Sequence, residues 1–311
     1  MAVEKDSVLV IGSLNYDYIL RTDHLPQRGE TLTAESFEVC PGGKGANQAV
    51  QCAKLGLHTY MAGAVGDDFM GKFLYNGLQE YGVEVSRVKV EHGTSGFAMA
   101  SAAGKGNIFA TIVQGTNELV SPSDIDALED LFSHAAVVVL QLEIPVKTVE
   151  YAIAQARRHS CTIVLNTAPA KPINLNSLAL CDVVVMNEVE AQFYSHVPSI
   201  TFENAGDQAM KLSAGYGNTC IITLGKNGAV ISVRGALFQH FSAYEAEAVE
   251  TTGAGDSFIG GIAYGIIHHM PTNEGMAFAS CCSGITIQQS GAQPAMPKLG
   301  QVLPLMKKYK K

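Results

Sequence analysis

No stretch of this chain is apolar for long enough to span a bilayer, and no secretory leader pattern opens it, so the expectation is a cytoplasmic protein with no membrane partner. Positive charge is also scarce. The 311 residues carry 21 Lys and Arg against 29 Asp and Glu, a net charge of −8, which excludes a surface built for nucleic acid. The only basic run, Lys307-Lys308-Tyr309-Lys310-Lys311, reads as a solvated terminus. C-x-x-C spacing is missing as well. The seven cysteines are odd in number and mostly sit in apolar segments (Cys161, Cys220, Cys281, Cys282), as buried reduced thiols do; Cys40, beside a glycine cluster, is the exception. Adjacent His268 and His269 point apart on a helix and have no partner set for a metal. No G-x-G-x-x-G follows the first apolar strand and no G-x-x-x-x-G-K-[ST] occurs anywhere, which argues against a Rossmann oxidoreductase and a P-loop NTPase. Linkers, repeats and low-complexity blocks are absent too, so one core domain is expected.

What the chain has instead is glycine placed at helix starts. In Glu250-Thr251-Thr252-Gly253-Ala254-Gly255-Asp256-Ser257-Phe258, residues 246–252 read as the end of a strand. Phe258, Ile259, Ile262, Ile266 and Ile267 recur at helical spacing, so the glycines fall at the turn between the two. Amides at such a start lack partners and, with the helix dipole, favour an anion. Asp256 in the first turn could accept a hydroxyl proton there, although an ordinary tight turn with Asp256 as a cap would look the same locally. A second cluster, Pro41-Gly42-Gly43-Lys44-Gly45-Ala46-Asn47-Gln48-Ala49, ends an irregular segment and opens another helix; its bare backbone and polar Lys44, Asn47 and Gln48 suit a small polyhydroxylated ligand. The strand Val8-Leu9-Val10-Ile11-Gly12 leads to Asn15 and Asp17, which share one side of an extended segment and could grip vicinal hydroxyls.

PGGKGANQA at 41–49 and TTGAGDSFIGG at 251–261 together identify a resemblance to the ribokinase branch of the ribokinase-like (PfkB) carbohydrate kinases, extending from about Val8 to Pro297. Gln141-Leu142-Glu143, Asn166-Thr167-Ala168-Pro169-Ala170, Asn187-Glu188-Val189-Glu190, Thr223-Leu224-Gly225-Lys226-Asn227-Gly228 and Gly291-Ala292-Gln293-Pro294 support it. The resemblance implies transfer of the γ-phosphoryl group of ATP to the 5-hydroxyl of D-ribose, giving ribose 5-phosphate and ADP. Asp256 would be the general base and Gly253, Ala254 and Gly255 the anion hole. Asn15, Asp17, Gly42, Gly43, Lys44, Asn47 and Glu143 would bind the sugar. Asn187, Thr223, Gly225, Gly228, Gly255 and Ser280 would bind the nucleotide, with adenine near 277–284, and Glu190 would act on Mg2+ through water. From residues alone, Thr223 to Ala229 also reads as a plain hairpin. Kinases of 2-deoxyribose, fructose or a nucleoside, and a non-catalytic sugar or nucleotide sensor, are the alternatives; for a nucleoside, Tyr16, Phe97 and Phe109 are candidates to face the base.

The chain departs from the family at three places. Glu250 stands where Asp is usual and Ala295 where Ser is common, in a K+ site that would also use Thr252, Thr286, Gln289 and Gly291. Ser280 stands where His often meets the nucleotide. The implied fold is α/β: a ribokinase-like, mostly parallel central sheet flanked by helices on both faces, with a small β lid from about 14–40 and 95–113 within a single 1–311 domain. The lid strands would pair across a homodimer.

Overall fold

Val8, Leu9, Val10 and Ile11 are all fully buried, so the first strand must have a packed layer on each side. The computed structural model describes residues 5–103 and 107–309, with side chains described outside 102–110 and 307–309; Lys310, Lys311 and the side chains of Phe109, Lys307, Lys308 and Tyr309 lie outside the described residues. In chain order the strands are β1 Ser7–Ile11, β2 Asn15–Thr22, β3 Ser36–Gly42, β4 His58–Gly66, β5 Glu84–Glu91, β6 Gly96–Ala103, β7 Asn107–Val113, β8 Ala135–Leu140, β9 Thr162–Asn166, β10 Val183–Met186, β11 Thr219–Thr223, β12 Ala229–Val233 and β13 Gln239–Phe241.

They form a nine-stranded sheet in the order β13-β12-β11-β10-β9-β8-β1-β4-β5 and a four-stranded sheet in the order β3-β2-β6-β7. The large sheet is parallel from β5 to β11; β12 and β13 complete it antiparallel. Alternation along β1 divides the core. Val8 and Val10 pack with the helices Lys44–Lys54, Ala254–Ile267 and Thr272–Thr286, whereas Leu9 and Ile11 pack with the helices Val146–Arg158 and Ala205–Tyr216 on the opposite face. Because β1 is flanked by β4 on one side and β8 on the other, successive crossovers leave it in opposite directions. A crevice forms at the carboxyl end of such a switch point, which is where ligands of open α/β sheets collect. The five parallel strands β1, β8, β9, β10 and β11 therefore aim Gly12 to Asn15, Gln141 to Glu143, Asn166, Asn187 and Thr223 at one edge of the sheet.

The small sheet leaves the core through that same edge. Its β2 pairs antiparallel with β3 and parallel with β6, and β6 pairs antiparallel with β7. The sheet reaches Gly42, two residues past the boundary expected from sequence. Two local expectations are corrected. Residues 246–252 form no strand: Val249 and Glu250 donate their amides to the Ile287 carbonyl, so the segment follows a helix end instead of a sheet edge. The segment before Gly43 is β3 and not irregular, because its main chain is laddered onto β2 as far as Asn15.

Gly45 fixes how closely the helix Lys44–Lys54 meets β1. A Cβ at this position would lie 2.6 Å from the Ser13 amide nitrogen and 2.7 Å from the Gly12 carbonyl carbon, and backbone cannot swing aside. Gly45→Ala is expected to cost about 1–3 kcal/mol through overpacking and to lower the melting temperature by several degrees, measured by thermal unfolding. An unchanged melting temperature would show that the helix can shift freely. Among the described residues no helix is long and apolar enough to cross a membrane.

Candidate active site

Asp256 stands in the first turn of the helix Ala254–Ile267, whose N-cap, Gly253, adopts the left-handed conformation at φ 79°. A side chain at Gly253 would also strike Ala292 Cβ at 2.8 Å, so only glycine serves here. No side chain caps the helix start, and the Ala254 amide donates to the Thr251 carbonyl at 3.2 Å. Asp256 is buried at 6 % exposure, yet both carboxylate oxygens are held. Asn47 Nδ2 donates to Oδ2 at 2.9 Å and Gln48 Nε2 to Oδ1 at 2.9 Å. These amides are fixed in turn: Gln141 Nε2 donates to Gln48 Oε1 at 2.7 Å, and Gln293 Nε2 donates to Asn47 Oδ1 at 3.1 Å. Burial raises the Asp256 pKa, and Glu143 adds to the rise; Lys44, Asn47 and Gln48 oppose it without cancelling it.

Asn15 and Asp17 share a face of β2 with Cys40 and Gly42 of β3, to which they are paired. Asn117 Nδ2 donates to Asn15 Oδ1 at 2.9 Å while bracketing Leu14, so the Asn15 amide nitrogen is the end left free. Asp17 Oδ1 is buried without a protein partner, and Oδ2 lies so near the Gly42 backbone that a Cβ there would fall 2.0 Å from it. Burial, followed by the charges of Glu143 and Asp256, raises the Asp17 pKa to about 7. Glu143, at 4 % exposure, accepts hydrogen bonds from Ser13 Oγ and, at 3.0 Å, from the Lys44 amide. Burial by itself would lower the Lys44 pKa, but Asp256, Glu143, Glu190 and Asp17 together raise it, so the ammonium persists at the centre of four carboxylates. Gly43, at φ 87°, turns the chain tightly beneath Asn15.

Beyond this lies a cavity of ≈ 450 Å³, lined among others by Thr223, Gly225, Gly228, Tyr244, Ser280 and Gly284 and ending against Ala254 and Gly255. The β11–β12 pair is a hairpin, and its turn carries Gly225 at φ 52° and Gly228 at φ 87°. Asn187 and Glu190 prove to be a capping box: Asn187 Oδ1 accepts from the Glu190 amide at 3.0 Å, and Glu190 Oε2 from the Asn187 amide at 2.7 Å. Only Glu190 Oε1 is therefore spared for other work. Burial raises the Glu190 pKa although Lys44 faces it. Among the described residues no group of three or more His, Cys, Asp and Glu could hold a metal ion by itself. The residues expected around a monovalent cation converge in part. Glu250 Oε2 accepts from the Gly291 amide at 3.3 Å, and Ala295 is buried in the short helix Ala292–Ala295 beside Gly253. Thr252 is exposed, and the Gln289 amide donates to the Thr286 carbonyl at 3.4 Å. The Thr286 hydroxyl, however, is turned into the core toward Ser257 and the Cys282 carbonyl.

Sequence reasoning missed Ser13, Asn117 and Gln293 as supports of these side chains, and gave Gln141 and Gln48 no partners. Tyr16 and Phe97 lie on the face of the small sheet opposite Asp17, where Tyr16 meets Phe69 and Phe73. Six of the seven free cysteines are buried and Cys40 is partly exposed, as expected.

A buried carboxylate in the first turn of a helix, between a polar pocket and a larger cavity at a switch point, suits a small-molecule phosphotransferase. A model described as pfkB family carbohydrate kinase matches residues 5–299, and the chain belongs to that family. A ribokinase of Schizosaccharomyces pombe is 37 % identical over 306 residues, covering 95 % of this chain and 96 % of the relative. A deoxyribokinase of Salmonella typhi is 33 % identical over 296 residues, covering 94 % and 96 %. The structure of Arabidopsis thaliana ribokinase complexed with ribose and ATP superposes with a TM-score of 0.87 at 30 % identity, covering 97 % of this chain and 99 % of that one. The enzyme is thus a sugar kinase with the ribokinase-like fold.

Proposed function

We propose that the enzyme transfers the γ-phosphoryl group of ATP to the 5-hydroxyl of D-ribose, releasing D-ribose 5-phosphate and ADP. The observation that carries this reading is Asp17: a buried carboxylate oxygen without a partner is costly, and a sugar hydroxyl donating to it removes the cost. The Asn15 amide nitrogen, left free by Asn117, donates to a neighbouring hydroxyl oxygen, so the pair reads a vicinal diol. Gly42 and Gly43 let the ring approach the main chain, and Lys44, Asn47 and Glu143 border it.

Chemistry follows from the same positions. The terminal hydroxyl gives its proton to Asp256 as its oxygen forms the new bond to phosphorus, and the bond to the leaving oxygen of ADP breaks. The helix start at Gly253, Ala254 and Gly255, where the Ala254 amide would turn from the Thr251 carbonyl to the ligand, and the Lys44 ammonium neutralise charge on the phosphoryl group in flight. The nucleotide occupies the cavity between the 225–228 turn and the helix Thr272–Thr286, with Thr223 and Ser280 at its border and Asn187 one residue beyond Met186, whose carbonyl accepts from the Thr223 hydroxyl. The spare oxygen of Glu190 would hold Mg2+ through water, and the ion would supply charge neutralisation on the phosphates. Glu250, whose carboxylate accepts from the Gly291 amide, would hold K+ together with Thr252, Thr286, Gln289, Gly291 and Ala295. Exposed Phe37 and Met99 share the outer face of the small sheet, which in this reading closes over the sugar and pairs across a homodimer in the cytoplasm.

A nucleoside substrate fits less well, since Tyr16 and Phe97 face away from the diol site. Phosphorus–proton NMR of the product from ribose and ATP tests the regiochemistry. Coupling of phosphorus to the C5 protons is expected; coupling at C1 would reverse the proposed orientation of the sugar.

A further inference from the structure

The helix Lys44–Lys54 presents Asn47, Gln51 and Lys54 at spacings of four and three, hence on one face. All three contact the 293–297 segment. Gln293 Nε2 donates to Asn47 Oδ1 at 3.1 Å and Gln51 Nε2 donates to the Pro297 carbonyl at 3.1 Å. At the far end the Lys54 ammonium donates to the carbonyls of Gln293 at 2.6 Å, Pro294 at 3.0 Å and Met296 at 2.8 Å. An ammonium has three protons, so this set saturates it. The accepting carbonyls belong to a single-turn helix, Ala292–Ala295, and its exit, whose own carbonyls have no helical partners. Lys54 is therefore a tethered cation at the centre of a carbonyl cage.

The cage matters because of what the segment carries. Gln293 gives its carbonyl to Lys54 and its side-chain amide to Asn47, and Asn47 donates to Asp256 Oδ2. Gly291, two residues earlier, donates to Glu250, and Ala292 abuts Gly253 at the helix start. We infer that Lys54 is a positioning residue for phosphoryl transfer: by clamping residues 293–296 to the helix Lys44–Lys54 it holds Gln293 on Asn47, and so Asn47 on Asp256. This inference rests on the reading of Asp256 as the base. Around the ammonium lie Lys298 and the Tyr81 ring, whose centroid is 5.0 Å away; Glu80 raises the Tyr81 pKa further beyond the effect of burial. Burial, then Lys298, pull the Lys54 pKa down to about 8, so the clamp loses its charge on the alkaline side.

The test compares Lys54→Met, Lys54→Arg, Gln293→Leu and the Lys54→Met/Gln293→Leu double variant by kcat, KM and pH profile, with circular dichroism to establish folding. Lys54→Met is expected to lower kcat roughly tenfold to a hundredfold with little change in sugar KM, since a displaced catalytic group costs that much. Gln293→Leu should do the same, and the double variant should be no worse than either alone. Wild-type kcat should decline above about pH 8, whereas Lys54→Arg, which keeps its charge, should restore most activity and extend the plateau to higher pH. Full kcat in Lys54→Met, or multiplicative losses in the double variant, would overturn the inference. If Lys54→Met does not fold, an Arg variant with the wild-type alkaline decline overturns it equally. An active Asp256→Asn enzyme would instead remove the base, a different failure with a different signature.

Discussion

Asp256→Asn lowers turnover by roughly a hundredfold to ten-thousandfold and leaves sugar binding and the fold in place. The size follows from the role. Without a carboxylate to take the proton, the hydroxyl must lose it to water in a site at 6 % exposure. Asn is the same shape, so the substitution separates charge from packing. Its amide nitrogen, however, must face either Asn47 Nδ2 or Gln48 Nε2, and both donate to Asp256. Gln48 cannot simply turn over, because Gln141 donates to its Oε1. The donor–donor conflict costs about 1–3 kcal/mol. Relief of a buried carboxylate offsets it, so the melting temperature should move little. In the wild type the pH profile reports the same group: a base must be ionised to work, and the raised Asp256 pKa places the acid limb above the ordinary carboxylate range. Rates therefore rise with pH through that limb. Steady-state ADP release together with calorimetric sugar binding measures both halves of this prediction, and near-normal turnover would remove Asp256 from the chemistry.

Asp17→Asn should trade affinity for stability. Burial and the neighbouring Glu143 and Asp256 raise the Asp17 pKa from 3.8 to about 7. Between those values the folded chain holds a proton that the unfolded chain has released, so stability falls as pH rises through the window. Above pH 7 the full penalty is present, at most about 4 kcal/mol. The Asn variant lacks it and should melt several degrees higher than wild type at pH 8, with the advantage vanishing below pH 4. It should also weaken sugar binding roughly tenfold to a hundredfold, because a hydroxyl donating to a charged oxygen is worth more than one donating to an amide. A variant that binds sugar normally, or melts no higher at pH 8, would show that the carboxylate is solvated and structural.

Both predictions rest on residues visible in the sequence, and the reason is local. Gly253 and Gly43 announce themselves because their positive φ values and crowded backbones admit no other residue, and each opens a helix whose apolar spacing is plain. Alternation in β2 placed Asn15 with Asp17, and the 225–228 hairpin carried its own turn signals. What escaped was long-range. Asp256 meets Asn47 across 209 residues and Asn117 meets Asn15 across 102, and no periodicity encodes such pairings. Residues 246–252 have the composition of a strand, but two amides satisfied by the Ile287 carbonyl settle their course. Asn187 and Glu190 carried a capping-box spacing that a purely functional reading passed over. Tyr16 and Phe97 were candidates to face a base only for a nucleoside substrate; the pleat turns Tyr16 toward Phe69 and Phe73 and Phe97 toward Tyr18, and which face of a strand is inward depends on neighbours the sequence does not name.

The most direct measurement is ADP formation from ATP and magnesium with D-ribose, 2-deoxyribose, fructose and adenosine, each in potassium and in sodium. Turnover greatest with ribose, and faster in potassium, is the predicted result. Stronger turnover with 2-deoxyribose would mean that Asn15 and Asp17 do not read the full diol, and silence with every sugar despite ribose binding would contradict the catalytic reading itself.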